Sequence, residues 1–464
     1  MIREAIYRRL VPGVVHPLGE RLGIEACHTV RALAERQWWR PEALRARAET
    51  KLRALVEHAA RHVPYYRDLF SAAGLAPGDV RTLEDLARVP MTTKEGLRRA
   101  FPQRTTAENL PPTRRRRMMT SGSTGMPLEF YWDRSALPIM GGTEWFWLGW
   151  AGTASWHTRL LITSPAYFYD QLAPPRPLHR LAAGLVLGER TARLPADEAK
   201  PARFRALVAE VSRRGPYYIR GYPGSLANLA AGLATAGAPL AAAPRVISTF
   251  AETLTPANAR HLQDVFGCRI VNYYSAWEVP QIAQTCPDNS DVLHVNAERV
   301  IARVVGPDGG DIAPGERGRV VVTDLANFVM PFINYTVGDA ATSGGPCPCG
   351  RGLPTIARLE GRDTEIIETP DGRVIAAGAL GQLLTFVVGI MPYVWEYQAV
   401  HTTPASVRLL VVPTARFSEA FRATIERAVQ DFLGPAMRVT VEPVDAIPLE
   451  PSGKRLIIRH LPAA

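Results

Sequence analysis

A short loop in this chain combines the side chains that bind phosphate. Thr120-Ser121-Gly122-Ser123-Thr124-Gly125 alternates hydroxyl groups with glycines. Glycines let backbone N–H groups approach a polyanion closely, and Ser and Thr hydroxyls add donors that follow phosphate oxygens. The loop lacks the Gly-Lys-Ser/Thr ending of the P-loop NTPases. Alone, such a segment is more often an ordinary turn, so its interpretation depends on partners elsewhere.

Further segments hold groups suited to ATP chemistry. Residues 274–278 (Tyr-Ser-Ala-Trp-Glu) offer an aromatic face for a base and a carboxylate for Mg²⁺. Asp339 ends a predicted strand, where it can accept hydrogen bonds from a ribose diol. Arg362, and Lys454 in a Pro-Ser-Gly-Lys turn, add two cations. Each segment alone is typical of a strand end or a surface loop, but their order and spacing together indicate a nucleotide site.

These motifs resemble those of the adenylate-forming superfamily and, within it, the phenylacetate:coenzyme A ligase family, especially the branch associated with capsular polysaccharide genes. The resemblance runs from residues 61–66 (Arg-His-Val-Pro-Tyr-Tyr) to Lys454. It implies that ATP and a carboxylic acid form an acyl-AMP, with Mg²⁺ as cofactor. The acyl group then passes to coenzyme A or to another thiol, such as that of a carrier protein.

The resemblance also implies roles for individual residues. Lys454 would bridge the carboxylate and the α-phosphate, Glu278 would hold Mg²⁺, and Arg362 precedes a hinge; these three are the expected catalytic residues. The expected nucleotide-binding residues are Thr120, Ser121, Gly122, Ser123, Thr124, Gly125, Glu252, Tyr274, Ser275 and Asp339. The set is chemically coherent, because attack of a carboxylate on the α-phosphate joins two anions whose repulsion Mg²⁺, lysine and backbone donors offset.

The chain departs from the family pattern in ways that leave the substrate open. Met126 stands where a lysine is often found, and Trp277 stands where a small, hydroxyl or basic residue is usual. Ala251-Glu252 replaces the more usual Gly-Glu. We expect the acyl pocket to include Tyr222, Pro223, Ala251, Trp277 and Trp145. An aromatic lining favours an aryl or short apolar acid.

Two other functions compete with the acid:thiol ligase. One is acyl transfer to an amine, or transfer of AMP to a hydroxyl. The other is a nucleotide-binding pseudoenzyme, which the substitutions Met126 and Trp277 suggest. The presence of Lys454, Glu278 and Asp339 together argues against a pseudoenzyme, because an inactive binding protein does not need a hinged catalytic lysine.

A second constellation has the composition of a metal site. Cys286 and His294 precede Cys347 and Cys349, and three thiolates with one imidazole make a closed tetrahedral set of the structural type. Reduced thiols and a hydrogen-bonded histidine are the alternative. The capsular branch is expected to hold zinc with a similar pattern, so the resemblance implies a structural Zn²⁺ here.

The composition is that of a folded protein with more than one lobe. The chain has 464 residues, of which 47% are hydrophobic and 21% charged, and single cores rarely grow beyond about 250–300 residues. Its net charge of +10 is consistent with a polyanionic partner. The basic residues are spread along the chain without a nucleic-acid module, so we expect phosphate-bearing ligands and no nucleic acid.

The sequence also bears on compartment and assembly. No apolar stretch reaches the roughly 18 residues of a membrane-spanning helix, so we expect no transmembrane segment and a cytoplasmic location. Residues 2–23 mix apolar side chains with arginines; packing of a first helix is the favoured interpretation and peripheral membrane contact the alternative. Five cysteines without an export signal argue against a disulfide framework. A homodimer is one assembly consistent with the sequence.

Hydrophobic periodicity predicts the elements that must position these residues. Helical spacing predicts a long helix from residue 41 that ends before Val63-Pro64, and Thr92 or Thr93 followed by Glu95 is typical of a helix start. Further helices are predicted over 202–213 and 256–266. Buried strands at 159–163, 245–250 and 269–271 alternate with these helices, which indicates an α/β architecture.

The remainder of the chain is expected to add a β-rich part and a small domain. Strands are predicted at 300–305, 318–322 and 330–335, and later at 374–376, 407–412 and 437–441, around a helix at 417–433. We therefore expect a large α/β domain with a β-rich subdomain over residues 1–361, which binds ATP and the acyl substrate. A small hinged α+β domain over residues 362–464 would carry the catalytic lysine.

Overall fold

A computed structural model describes most of the chain. The described residues are 2–120, 128–163, 190–195, 198–237, 239–252, 254, 256–361, 366–376, 380–381, 383–390, 393–403, 405–447 and 458–460.

The helices of the described chain are α1 (Ile2–Leu10), α2 (His16–Arg21), α3 (Glu25–Arg36), α4 (Pro41–His62), α5 (Pro64–Ala72), α6 (Lys94–Ala100), α7 (Leu137–Trp150), α8 (Pro201–Ser212), α9 (Pro223–Ala236), α10 (Pro256–Phe266) and α11 (Glu419–Leu433). Two π-helical segments, Val11–Val15 and Leu383–Val388, accompany them. Short 3₁₀ turns lie at Pro77–Asp79, Glu84–Arg88, Pro112–Arg114 and Arg134–Ala136.

The strands are β1 (Arg115–Met119), β2 (Glu129–Asp133), β3 (Thr158–Thr163), β4 (Arg190–Pro195), β5 (Tyr217–Gly221), β6 (Val246–Phe250), β7 (Arg269–Tyr274), β8 (Ala283–Thr285), β9 (Leu293–Val295), β10 (Val300–Val305), β11 (Arg317–Asp324), β12 (Tyr335–Ser343), β13 (Thr355–Gly361), β14 (Ile366–Glu368), β15 (Val374–Ala376), β16 (Val394–Thr403), β17 (Ser406–Pro413), β18 (Arg438–Pro443) and β19 (Ile458–His460).

The helix predicted from residue 41 is present as α4. Pro41 occupies its first turn, where the missing N–H costs no hydrogen bond, and Leu52 and Leu55 are among the side chains on its buried face. The helix ends at His62 because Val63, which precedes Pro64, is held in an extended conformation. The predicted start near residue 93 is also confirmed: the Thr93 hydroxyl accepts a 3.1 Å hydrogen bond from the Gly96 amide.

One large sheet contains a parallel half and an antiparallel half. Its order among the described strands is β10-β11-β12-β13-β9-β8-β7-β6-β5-β3-β4. Strands β4, β3, β5, β6 and β7 pair in parallel, and the others pair antiparallel. Helices α8, α9 and α10 bury apolar side chains against the parallel strands in one shared core, as crossover connections require. The predicted α/β class is confirmed.

The predicted strand at residues 330–335 is wrong. These residues are irregular, and β12 instead begins at Tyr335. The extended conformation is interrupted at Asn334, whose φ is 48°. The segment is buried because its backbone bonds side chains: the Tyr66 hydroxyl donates to the Pro331 carbonyl at 2.9 Å and accepts from the Ile333 amide at 3.0 Å.

The last part of the described chain has a core of its own. Strands β18-β17-β16-β19 form a sheet against which α11 packs Ile425, Val429 and Leu433. Strand β16 lies in a region for which the sequence predicted no strand. The division at residues 361 and 362 stays a prediction, since 362–365 lie outside the described residues. Across the described helices, none has the length and apolarity needed to span a membrane.

Candidate functional site

The candidate site lies at the carboxyl edge of the parallel strands. In open α/β sheets, ligands bind in the crevice beyond the carboxyl ends of the strands. Tyr222 follows β5, Ala251 follows β6, and Tyr274 ends β7. Three of the predicted site residues therefore share this edge, because β5 pairs with β6 and β6 with β7 in parallel register.

Tyr274 and Asp339 are hydrogen-bonded to each other. The Tyr274 hydroxyl donates to Asp339 Oδ2 at 2.8 Å, across 65 positions in the sequence. Tyr274 is buried and Asp339 is half-buried on β12. The bond fixes the orientation of a carboxylate, which is what a paired contact with two ribose hydroxyls requires.

Glu278 has a similar link to β12. Its Oε1 accepts a 2.8 Å hydrogen bond from the hydroxyl of Tyr335, and both side chains are buried. The two tyrosine–carboxylate bonds join the 274–278 loop to β12, although β13, β9 and β8 separate β12 from β7 in the sheet. They bring the predicted Mg²⁺ and ribose ligands into one framework. A carboxylate held in this way suits a hard cation.

Ser275 and Gln281 close the loop that carries Glu278. The Ser275 hydroxyl accepts a 3.2 Å hydrogen bond from the Gln281 amide. Gln281 itself has a φ of 60°, and its side-chain amide donates to the Met140 carbonyl of α7 at 2.9 Å. The predicted nucleotide ligand Ser275 is thus also a structural residue of this loop.

Ala251 adopts a conformation that favours glycine. Its φ is 67°, in the left-handed region, which explains why the more usual residue of this motif is glycine. The exposed Ala251 turns the chain at the end of β6 and precedes the half-buried Glu252. The Ala-Glu substitution noted in the sequence therefore retains the turn at a cost in backbone strain.

Thr120 closes the base of the β1–β2 hairpin. Its backbone amide donates to the Leu128 carbonyl at 3.0 Å, and its hydroxyl accepts from the Leu128 amide at 2.8 Å. The rest of the predicted phosphate loop lies outside the described residues: Ser121, Gly122, Ser123, Thr124, Gly125 and Met126. Arg362 and Lys454 lie outside them as well. The roles of these residues stay predictions.

Trp277 packs against the hairpin. Its carbonyl accepts a 2.9 Å hydrogen bond from the indole N–H of Trp132, and the two rings stack with centroids 6.3 Å apart. The Arg116 guanidinium lies 5.9 Å from the Trp132 ring, within the range of a cation–π contact. The bulk added at position 277 is thus partly accommodated by β2.

The other predicted pocket residues have different neighbours. Tyr222 is buried with Phe250, whose ring centroid is 5.2 Å away, and Pro223 begins α9 beside it. Trp145 instead stacks on His16 of α2 at 5.7 Å with nearly parallel rings. The place of Trp145 in the acyl pocket, like that of the other four residues, stays a prediction.

Another part of the large sheet carries a cluster of cysteine and histidine side chains. One ligand atom from each of Cys286, His294, Cys347 and Cys349 lies within 4.8 Å of all the others. The Sγ atoms of Cys286 and Cys347 are 3.9 Å apart, and His294 Nε2 is 3.3 Å from Cys349 Sγ. Zinc bond lengths imply tetrahedral edges of roughly 3.5–3.8 Å. The residues therefore fit a tetrahedral metal ion.

The surroundings of the cluster also suit thiolate ligands. The backbone amide of Asp288 donates to Cys286 Sγ at 3.4 Å, and that of Arg351 donates to Cys349 Sγ at 3.5 Å. Burial raises the pKa of the Cys286 thiol to about 11. Burial acts in the same direction on Cys349, but hydrogen bonds from Arg351, Cys347 and Cys286 together outweigh it and leave that pKa below its ordinary value. Metal binding would release the proton from Cys286.

The chain is similar to known coenzyme A ligases. No protein-family model matches the chain. The chain is 26% identical over 451 residues to the phenylacetate-coenzyme A ligase of Thermus thermophilus, which covers 89% of this chain and 95% of that protein. It is 27% identical over 350 residues to the phenylacetate-coenzyme A ligase of Escherichia coli K12, covering 72% and 73%.

Solved structures share the architecture. A 2-hydroxyisobutyryl-CoA ligase in complex with 2-HIB-AMP and CoA matches with a TM-score of 0.62 at 20% identity, over 89% of both chains. The same enzyme in its postadenylation state with 2-HIB-AMP matches with a TM-score of 0.59 over 88% of both chains. The chain has the adenylate-forming ligase fold. This confirms the expected fold class.

Within this adenylate-forming ligase fold, sequence reasoning missed one polar network, in which Tyr273 is buried and Arg220 and Glu144 are half-buried. Arg220 of β5 pairs with Glu144 of α7, and the Tyr273 hydroxyl donates to Glu144 Oε2 at 3.2 Å. The guanidinium lies 4.2 Å from the centroid of the Tyr273 ring and 5.2 Å from that of Phe250, close to Tyr222. Burial raises the pKa of Tyr273, so its hydroxyl stays protonated. A signal existed: Glu144 is the one charged residue in the sequence of α7.

Proposed function

We propose that this chain activates a carboxylic acid with Mg-ATP as an acyl-adenylate and then transfers the acyl group to coenzyme A. The observation that carries the proposal is the pair of hydrogen bonds from Tyr274 to Asp339 and from Tyr335 to Glu278. They hold the expected ribose ligand and the expected Mg²⁺ ligand on one framework at the carboxyl edge of the sheet. The similarity to phenylacetate-coenzyme A ligases over most of the chain supports the same reaction class.

Each predicted site residue has a separate role in the proposed reaction. Asp339 accepts hydrogen bonds from the ribose, and Tyr274 orients that carboxylate and lies beside the base. Glu278 would hold Mg²⁺, and the ion would supply positive charge against the phosphates. The 120–125 loop donates to the phosphates. Lys454 neutralises the α-phosphate and carboxylate during adenylation, and Arg362 stands at the hinge before the domain that carries this lysine.

The acid is proposed to be an aryl or short acyl acid. Tyr222 and Phe250 are buried together at the end of β5 and β6, next to the strained turn at Ala251. Apolar and aromatic walls of this kind suit a compact apolar acyl group better than a long chain. Trp277, packed on Trp132, adds bulk at the neighbouring loop.

We assign the Cys286, His294, Cys347 and Cys349 cluster to a structural zinc ion. The ligand distances support this assignment, and four protein ligands leave no position for a substrate water. The ion would tie the segment after β8 to the loop between β12 and β13. The same four-residue pattern supports placing the chain in the capsular-polysaccharide-associated branch.

The test is trapping of the acyl-adenylate. Pyrophosphate release is measured with Mg-ATP and a panel of aryl, short acyl and amino acids, with hydroxylamine present to capture acyl-AMP as a hydroxamate. Release with one acid, lost in Lys454→Ala and kept in the exposed control Lys200→Ala, is the expected result. Adding coenzyme A in place of hydroxylamine should yield the thioester. ATP binding without release for any acid, or equal release in both variants, contradicts the proposal.

A further inference from the structure

The segment over residues 2–21 is one continuous helical rod with two unlike faces. Helix α1, the π-helical segment Val11–Val15 and α2 follow one another with right-handed helical angles at the joining residues Leu10, Val15 and His16. Val11 and Gly19 are buried, and His16 stacks on Trp145 of α7. This inner face attaches the rod to the rest of the protein.

The outer face carries a row of exposed apolar side chains. Of the large apolar side chains exposed in the described chain, all but Trp38 and Val387 lie between residues 6 and 24. They are Ile6, Val14, Leu18, Leu22 and Ile24, which we call the apolar row. Soluble surfaces expose single apolar residues routinely, but a contiguous set is typical of an interaction surface.

The π-helical segment keeps the row in line. Ile6, Val14, Leu18 and Leu22 of the row, together with the half-buried Leu10, are spaced at every fourth position, and Ile24 follows the last of them. In an α-helix, fourth neighbours are offset by about 40° around the axis, so the row would drift away from one face. A π-helical turn winds less per residue and turns the row back. The irregularity thus has a geometric consequence: one exposed apolar stripe along the rod.

Most of the exposed charges beside the row are basic. Arg8, Arg9 and Arg21 are exposed on the same rod, whereas Glu20 pairs with Arg31 at 3.3 Å and the exposed Glu25 follows Ile24 at the end of the row. An apolar stripe bordered by arginines is the pattern of helices that lie in the interface of an anionic bilayer. A second copy of the chain fits less well, because two-fold pairing of this surface would bring the arginines of both copies together.

We propose that the apolar row docks the protein on the surface of an anionic lipid bilayer. The rod would lie in the plane of the interface, with the row among the acyl chains and Arg9 and Arg21 at the headgroups. The contact is peripheral and depends both on apolar burial and on charge. It is independent of the proposed ligase reaction.

The test is co-sedimentation with vesicles of phosphatidylcholine alone and of phosphatidylcholine with phosphatidylglycerol. The chain offers a matched pair of substitutions, because Val14 is 53% exposed and Val387 is 57% exposed in another part of the fold. Val14→Glu should weaken partitioning onto anionic vesicles by about tenfold, because it places a charge where the valine would be buried among the acyl chains. Val387→Glu should bind as the unchanged protein does, and binding should fall as salt is raised.

Further controls distinguish a loss of lipid binding from unfolding and from self-association. Leu18→Glu should reproduce the loss, with melting temperatures of all variants equal to that of the unchanged protein. The proposal is overturned if the unchanged protein fails to sediment with anionic vesicles at low salt, or if the two valine variants lose binding equally. A lipid-free dimer that Val14→Glu converts to a monomer, without vesicle binding, would assign the row to a second copy instead.

Discussion

The Tyr274 hydroxyl donates a 2.8 Å hydrogen bond to Asp339 Oδ2 and so ties together two motifs that are 65 residues apart. Tyr274 is buried at the end of β7, where it pairs with Ala283 of the antiparallel neighbour β8. The carboxylate of Asp339 therefore takes its orientation from the centre of the fold. The Asp339 carboxylate, which is proposed to bind the ribose, is therefore oriented before the nucleotide binds.

Removing this hydroxyl should weaken nucleotide binding. We expect Tyr274→Phe to raise the Kd for ATP about tenfold, because a hydrogen bond to a charged group is worth about 1.5–3 kcal/mol. The control is Tyr217→Phe, which removes a 2.7 Å bond to the Ala242 carbonyl away from the candidate site. Calorimetric titration of both variants is the measurement. Equal affinity in the two would remove the orienting role of Tyr274.

Glu278 and its tyrosine partner should have separable effects. Glu278→Gln keeps the size of the side chain but loses the charge that holds Mg²⁺, and we expect kcat for pyrophosphate release to fall about 10²-fold or more. Tyr335→Phe leaves the carboxylate charged but unoriented, so its smaller loss should be restored by raising the Mg²⁺ concentration.

A Mg²⁺ titration of the two variants distinguishes these roles. The control is Glu210→Gln, an exposed carboxylate on α8 that pairs with Arg214 at 2.7 Å. It should leave both kcat and the Mg²⁺ dependence unchanged. Full activity of Glu278→Gln at the Mg²⁺ concentration that saturates the unchanged protein, with no shift in its Mg²⁺ dependence, would contradict direct binding of the metal by Glu278.

Local signals predicted much of the fold. The end of α4 at His62 followed from Val63-Pro64, and the start of α6 followed from Thr93 as a capping residue. The strand predicted at 330–335 was wrong because the apolar pattern of these residues reflects burial alone. Their backbone bonds the Tyr66 hydroxyl and turns at Asn334. Hydrophobic periodicity predicts which side chains are buried, but it does not predict the hydrogen-bond partner of each backbone N–H and C=O group.

The candidate site was predicted unevenly for a related reason. Motif order predicted roles for Tyr274, Glu278 and Asp339, but Tyr335 was expected only as the last residue of the strand predicted at 330–335. Its hydroxyl reaches Glu278 across 57 positions, which is a property of tertiary packing. The Arg220–Glu144 pair was missed because each residue looks isolated in its own segment.

Metal removal tests the cysteine and histidine cluster. The purified protein should contain about one zinc ion per chain by plasma mass spectrometry, and Cys286→Ser should lose it, because one of the four ligands disappears. Cys268→Ser is the control, since burial raises the pKa of this thiol to about 12 and it is not part of the cluster. Retention of zinc in Cys286→Ser would contradict the assignment.

Loss of the ion should lower stability. The cluster contacts the rest of the fold through Arg351, whose side chain donates to Gln37 Oε1 at 2.7 Å and lies 4.5 Å from the Trp38 ring centroid. We therefore expect chelation to lower the melting temperature and to increase proteolysis near residue 350 and near Gln37, at the end of α3. A melting temperature unchanged by chelator, with the metal shown to be removed, would contradict a structural role.

The strained turn at Ala251 gives a prediction of opposite sign to the usual effect of glycine. A left-handed alanine costs roughly 1–2 kcal/mol, and glycine there avoids this cost while losing about 0.4–1 kcal/mol through the unfolded chain. Ala251→Gly should therefore raise the free energy of unfolding slightly, by about 0.5–1 kcal/mol. Ala73→Gly is the control, because Ala73, the residue that follows α5, has a negative φ of −84°, so that glycine there should destabilise the fold. Urea unfolding of both variants measures the difference.

Destabilisation of equal size at both positions would mean that the backbone at Ala251 is not strained. The departure from Gly-Glu would then have to be explained by contacts of the alanine methyl group with substrate.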